Sequence, residues 1–160
     1  MIFVTVGEQL PFDRLVRSMD EWAAKSGKKV FAQIGNSELI PAHIEFKQFI
    51  DPEEFKATMF AAELIVAHAG MGSIISAVEM GKPIIVMPRK SSLGEHRNDH
   101  QIATANRFLA LNYVSVALDE TELAIKLTDL REILDARTPR ALPVPSRLLI
   151  QTIRNFIERI

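Results

Sequence analysis

The stretch Glu63-Leu-Ile-Val-Ala-His68-Ala-Gly-Met-Gly-Ser-Ile-Ile-Ser-Ala-Val-Glu79-Met-Gly-Lys-Pro-Ile-Ile-Val-Met-Pro88 constrains the fold more than any other part of the chain. An apolar run of strand type ends in the turn His68-Ala-Gly-Met-Gly-Ser73. The turn opens a helix that is expected to stop at Gly81, and Lys82-Pro83 leads into a second apolar strand. Such a unit places backbone N–H groups, a hydroxyl and an imidazole at a helix N-terminus. Oriented donors and the helix dipole stabilise a diphosphate at that place. The chain is therefore expected to hold a nucleotide-diphosphate ligand.

The rest of the chain repeats the alternation. Residues 2–6 read as a buried strand broken at Gly7, and residues 12–25 carry Phe12, Leu15, Val16, Met19, Trp22 and Ala23 at helical spacing. Strands are expected over 29–34 and 44–50. Asp51 then caps a short helix with Pro52 at its first position. Further strands fall at 64–67, 84–87 and 113–116, and helices at 98–111 and 120–134. Alternation on this scale predicts an α/β fold, a Rossmann-like parallel sheet flanked by helices on both faces. Ligands of such sheets sit outside the carboxyl ends of the strands. Three regions are expected: a nucleotide-binding domain over 1–136, a Pro-rich linker over 137–145 and an amphipathic helix over 146–160. That helix would carry Leu149, Ile150, Ile153, Phe156, Ile157 and Ile160 on its apolar side.

Composition removes several function classes. The 160 residues carry 19 basic and 20 acidic side chains, a net charge of −1, so no bulk attraction to nucleic acid is expected. The chain has no cysteine, which excludes disulfides, thiolate metal sites and a Cys nucleophile and suits a reducing cytoplasm. The start of the chain lacks the basic flank of a signal peptide. No apolar run approaches the roughly 20 residues that span a bilayer. The chain is expected to be cytoplasmic, or peripheral to a membrane through a partner.

The diphosphate reading has rivals. Gly70 and Gly72 match two glycines of a dinucleotide fingerprint, but Ile75 stands where the third small residue belongs, and no acidic residue ends the following strand. A P-loop motif is absent. A structural turn whose glycines merely allow positive φ is the plain alternative, and His68 with Ser73 argues against it. The polar segment 89–101 leaves the same edge of the sheet and supports the first reading. There Asn98 or Asp99 can cap the next helix, leaving His100 and Gln101 in its first turn. His96 and His100 have i,i+4 metal-ligand spacing, but the helix is expected to start between them. A metal-dependent hydrolase thus stays a minor alternative, beside a non-catalytic nucleotide-binding or scaffolding subunit.

Taken together, these motifs resemble the donor-binding half of the GT-B glycosyltransferases, in particular the family-28 C-terminal domain. The resemblance rests on Phe49-Ile50-Asp51, His68-Ala-Gly-Met-Gly-Ser73, Gly81-Lys-Pro-Ile-Ile-Val-Met-Pro88 and Asn98-Asp-His-Gln101, in the family's order, and covers most of residues 1–135. Met1-Ile-Phe-Val-Thr-Val-Gly7 looks like the start of a stand-alone version of that half, the catalytic subunit of a two-component transferase. The resemblance implies a UDP-sugar as substrate, with no metal or other cofactor. It also implies a membrane-bound acceptor-binding subunit as partner and a lipid-linked saccharide as acceptor, in glycan or polysaccharide synthesis.

Family roles fall on particular positions. Ile50 is expected to bind the uracil edge through its backbone, with Phe49 lining that pocket. His68, Gly72 and Ser73 are expected to meet the diphosphate, with Gly7 and Gly70 also at the donor, and His100 and Gln101 at the sugar hydroxyls. The family often places a ribose-binding Glu where this chain has Ser76. Either Ser76 binds the ribose, or Glu79, about 4.5 Å further along the helix, reaches back. The resemblance implies an inverting transfer in which the helix N-terminus, Ser73 and one of Arg89, Lys90 or Arg97 stabilise the leaving UDP. The general base is expected on the partner half, with His68 as the candidate on this chain. Donors suggested are UDP-GlcNAc and UDP-glucuronate, the latter because Arg89, Lys90 and Arg97 suit a carboxylate. The helix over 146–160 is expected to pack back on this domain, to dock on the membrane subunit, or to pair with a second copy as a homodimer.

Overall fold

The computed structural model describes residues 1–129. The linker and helix expected over 137–160, and the end of the helix expected over 120–134, lie outside the described residues. Six strands form the sheet: β1 (Ile2–Thr5), β2 (Val30–Gln33), β3 (Glu45–Lys47), β4 (Leu64–His68), β5 (Ile84–Met87) and β6 (Ser115–Val116). Their order is β3-β2-β1-β4-β5-β6, and every pairing is parallel. β1 and β5 are buried at every position, as strands covered on both faces must be.

Five helices cover the sheet: α1 (Asp13–Ser26), α2 (Pro52–Ala61), α3 (Met71–Glu79), α4 (His100–Ala110) and α5 (Glu120–Thr128). The period of two along β1 divides the core. Val4 faces a cluster with Leu15 and Met19 of α1 and Leu123 of α5. Phe3 faces the opposite cluster with Met59 of α2, Ile74 of α3 and Ala105 of α4. Capping chemistry sets several helix ends. Asp51 accepts a hydrogen bond from the Glu54 N–H at 2.8 Å, and Gly27, at φ +65°, closes α1 by donating to the Ala23 carbonyl.

Several elements are shorter than the sequence pattern predicts, β3, β6 and α4 among them. β3 stops at Lys47 because the Gln48 carbonyl is taken by Gly35 N–H and the Gln33 side chain, which turns the chain out of the edge. β6 keeps only Ser115–Val116 of the expected 113–116. α4 begins at His100 rather than at residue 98, because the segment before it is held by the Ser91 N–H donating to the Asp99 carboxylate at 2.9 Å.

The topology creates one crevice. From β1 the chain moves outward to β2 and β3, then returns to build β4 on the other side of β1. Connections leaving β1 and β4 therefore diverge, and this switch point is where such sheets bind ligands. Thr5 lies opposite Ala67, and His68 opposite Met87. The segments starting at Val6, Ala69 and Pro88 thus leave the sheet at one level and face one another.

Candidate functional site

His68 is the last residue of β4 and the centre of the crevice. Its Nδ1 lies 3.5 Å from the Thr5 carbonyl, at the outer limit of a hydrogen bond. A carbonyl only accepts, so Nδ1 carries the proton there. Burial, helped by the nearby charge of Arg89 and opposed by the Thr5 contact, pushes the imidazole pKa down to about 4. At neutral pH His68 is therefore uncharged and its Nε2 is an acceptor. It could donate to a phosphate oxygen only after taking up a proton.

Two glycines exist where they do because of this ring. A Cβ on Gly70 would lie 2.1 Å from His68 Nε2, and one on Gly7 would lie 2.7 Å from Cε1. Gly7 also has φ +76°, whereas Gly70, at φ −90°, needs no left-handed conformation. Gly70 is the N-cap of α3 and no side chain caps the helix, which leaves its first amides as donors for an anion. A Cβ on Gly72 would meet nothing within 4 Å, so this side of the turn is open.

Two adjoining cavities fill the crevice. The first, about 350 Å³, has an apolar end at Ile50, Pro52 and Phe55 and a polar end at Gly72, Ser73 and Ser76. Ser73 is only 8% exposed, so a ligand that met its hydroxyl would be well desolvated. The second, about 380 Å³, is lined by His68, Gly70, Met71, Arg89, His96 and Gln101, among others. Gly7, Glu8 and Gly72 line both. A third hollow, of about 400 Å³, continues outward past Leu10 and His96 to Arg97.

A polar frame holds the loops of this crevice. Gln33 accepts from the Thr5 hydroxyl at 2.7 Å and donates to the carbonyls of Gly7 (3.1 Å) and Gln48 (3.2 Å), fixing the loop after β1. Arg89 is 3% exposed, and its guanidinium donates to the carbonyls of Val6 (2.7 Å), Leu10 (2.5 Å) and Pro11 (3.4 Å). It also stacks over Phe12, 4.9 Å from the ring centroid. Burial lowers its pKa to about 10, with Glu95 opposing, so it stays charged at neutral pH. Arg14 grips Glu95 with two bonds, of 2.6 and 2.8 Å, and donates to the Pro88 carbonyl at 3.1 Å. Burial works against the Arg14 charge, but its hydrogen bond with Glu95 and the charges of Glu95 and Glu120 outweigh that and raise its pKa. Glu95 in turn accepts from the Lys90 N–H at 2.9 Å, which ties the segment after β5 to α1.

The sequence profile of the glycosyltransferase family 28 C-terminal domain matches residues 1–145. The chain belongs to that family. Among curated relatives it is similar to the UDP-N-acetylglucosamine transferase subunit ALG13 of Saccharomyces cerevisiae, 34% identical over 58% of this chain and 45% of that protein. The human protein of the same name is 27% identical over 66% of this chain and 10% of its own length. The chain thus spans less than half of these two relatives. In structure it resembles MurG of Acinetobacter baumannii, with a TM-score of 0.66, 17% identity and coverage of 96% of this chain and 49% of that one. That likeness establishes the shared fold.

In the family-28 domain, the crevice brings together Gly7, Ile50, His68, Gly70, Gly72, Ser73, Ser76 and Gln101. Gln101 spends its side-chain oxygen on the Arg89 N–H at 3.1 Å, which turns its amide nitrogen into the available donor. Four expected residues stand outside these cavities or have their donors already engaged. Phe49 is 49% exposed and lines none of these cavities, whereas Phe55, from the first turns of α2, lines the first. Glu79 is exposed at the far end of α3 and lines none of them, whereas Ser76 does. His100 is exposed and outside them, and His96 stands at the second cavity in its stead. Arg89 lines the second cavity, but its guanidinium is committed to three carbonyls and is no free partner for a carboxylate or a leaving group. Nor do His96 and His100 share a helical face, since α4 starts at His100. Among the described residues no group of three His, Cys, Asp or Glu is placed to hold a metal.

Glu8, Gln33 and the Arg14–Glu95 pair border the crevice and were missed by sequence reasoning, which weighed His96 only as a metal ligand. Glu8 had a signal: it follows Gly7 at the carboxyl end of a strand beside the switch point. The others depend on contacts between segments far apart in sequence.

Proposed function

We propose that this domain binds a UDP-sugar, with UDP-GlcNAc as the leading donor, and transfers the sugar with inversion to a lipid-linked saccharide held by a membrane-bound partner subunit. The observation that carries the reading is the pair of joined cavities at the switch point. One is apolar at its outer end and sized for a base, and the other is lined by donors and polar groups. In this reading the base rests against Ile50 and Phe55, and the diphosphate meets the uncapped amides of α3 and the Ser73 hydroxyl. The sugar extends toward Gln101 and His96. Charge developing on the leaving UDP is stabilised by those amides and that hydroxyl, which need no rearrangement as the bond breaks. The relatives named as UDP-N-acetylglucosamine transferase subunits support both the donor and the need for a second subunit. The internal bonding of Arg89 weakens the case for UDP-glucuronate.

Competition of a panel of UDP-sugars for the chain, followed by transfer assays with and without a candidate membrane subunit, tests this. UDP-GlcNAc is expected to bind best, and transfer is expected only with the partner present. Preference for an ADP- or GDP-sugar, or full transfer by the chain alone, contradicts it. Among the described residues no helix is long and apolar enough to cross a membrane, so recruitment through a partner fits this reading.

A further inference from the structure

Seen from the nucleotide, the crevice has a far end. In the UDP-sugar reading the base fills the first cavity, and the diphosphate meets Ser73 and the uncapped amides of α3. The sugar then lies in the second cavity, toward Gln101 and His96. The third hollow shares Gln9, Leu10 and His96 with the second cavity and no residue with the first. A displacement that inverts the anomeric carbon needs the acceptor and its base across the sugar from the leaving group. With the nucleotide in the first cavity, that approach runs through the third hollow and over the shared residues. Of these only His96 can take up a proton.

The other titratable groups along this path are unsuited to the step. Glu95 is spent on Arg14 and on the Lys90 N–H. Arg89 and Arg97 are donors only. His68 is kept neutral by burial and by the charge of Arg89, which makes it a poor proton acceptor. Glu8 lines the first cavity with Ser73, on the leaving-group side. His96 differs from all of them. Its Nδ1 lies 3.0 Å from the Asn98 carbonyl, with the Asn98 N–H farther off at 3.3 Å. A carbonyl only accepts, so Nδ1 carries the proton and Nε2 keeps its lone pair for the cavity. When Nε2 is protonated the carbonyl bond persists and steadies the imidazolium, the part a carboxylate plays in hydrolase triads. Asp99, whose carboxyl is held low by its hydrogen bonds with Ser91, also interacts with the His96 charge and favours the protonated ring.

Building on the proposed transfer, we infer that His96 is its general base and that the third hollow is the acceptor's way in. Nε2 takes the proton of the acceptor hydroxyl as that oxygen bonds to the anomeric carbon. The bond from that carbon to the diphosphate oxygen breaks, and its electron pair leaves with UDP. His96 returns the proton to water once the product has left.

The test follows UDP-GlcNAc binding to the full chain by calorimetry, and transfer of labelled GlcNAc into lipid with membranes of the source cell, for wild type, His96→Ala, His96→Gln and Glu8→Gln. Both His96 variants are expected to bind UDP-GlcNAc within about threefold of wild type and to transfer about a hundredfold more slowly or worse. Added imidazole is expected to restore part of the rate to His96→Ala. The wild-type rate is expected to fall on the acid side, where His96 is protonated. Glu8→Gln is expected to keep that fall and the His96 variants to lose it. His68, already neutral down to about pH 4, adds no such limb near neutrality. The inference is overturned if either His96 variant transfers at the wild-type rate, if affinity falls in step with rate, if imidazole restores nothing, or if Glu8→Gln loses the acid limb instead. A wild type that binds UDP-GlcNAc but labels no lipid removes the transfer reading, and one that does not bind it removes the donor reading. Unchanged circular dichroism of each variant is expected for these loop residues and separates lost chemistry from lost fold.

Discussion

At the scale of residues, His68 and its glycines set the terms of the site. The imidazole is held at about pKa 4 in the folded chain against an ordinary 6.5. Between those values the unfolded chain binds a proton that the folded one does not. Stability must therefore fall as pH drops from about 6.5 toward 4, by about 3 kcal/mol in total, and level off below. His68→Gln is expected to lose correspondingly less stability over that window, measured by urea unfolding at about pH 7 and about pH 4.5. Equal losses in both chains would show that His68 is not the buried neutral group. Gly70→Ala should cost about 1–3 kcal/mol by overpacking against the ring, and His68→Ala in the same chain should relieve most of that. Gly72→Ala has open space and should fold normally while weakening anion binding at α3. Comparable destabilisation by both glycine variants would contradict this account of the turn.

At the scale of elements, the segment between β5 and α4 is held by partners contributed from elsewhere. Arg14 of α1 grips Glu95, and both side chains are about seven-eighths buried, at 12% exposure each. Breaking such a pair leaves the survivor uncompensated and costs about 3 kcal/mol. Arg14→Ala and Glu95→Ala should each lower the unfolding midpoint, and the double variant should cost little more than either alone. Additive losses would mean that the two act separately. The sequence predicted that this polar segment is functional, and it does border the crevice. It could not show that Arg89 and Glu95 are consumed in holding it, because their partners at Val6, Leu10 and Arg14 lie some eighty positions away. The same cause hid which histidine borders the second cavity, His96. Whether His96 or His100 faces the cavity depends on where α4 starts, and Ser91 decides that through Asp99.

At the scale of the whole molecule, nearly every element was legible because β1, β4 and β5 are buried apolar runs and α1 carries an apolar stripe. The boundaries that slipped, in β3, β6 and α4, are at sheet edges and a loop, where long-range hydrogen bonds outweigh local pattern. The strand order needed the structure, and with it the junction at which Gly7, Glu8 and Gly72 meet. The two joined cavities at this junction are what make a UDP-sugar the ligand proposed for the domain. Calorimetric titration of the full chain with UDP, beside ADP and GDP, tests that claim most directly. The account predicts one UDP per chain, weaker ADP and GDP, and a loss of about tenfold or more in UDP affinity on Ser73→Ala. No heat of binding with UDP, or tighter binding of ADP or GDP, would contradict it.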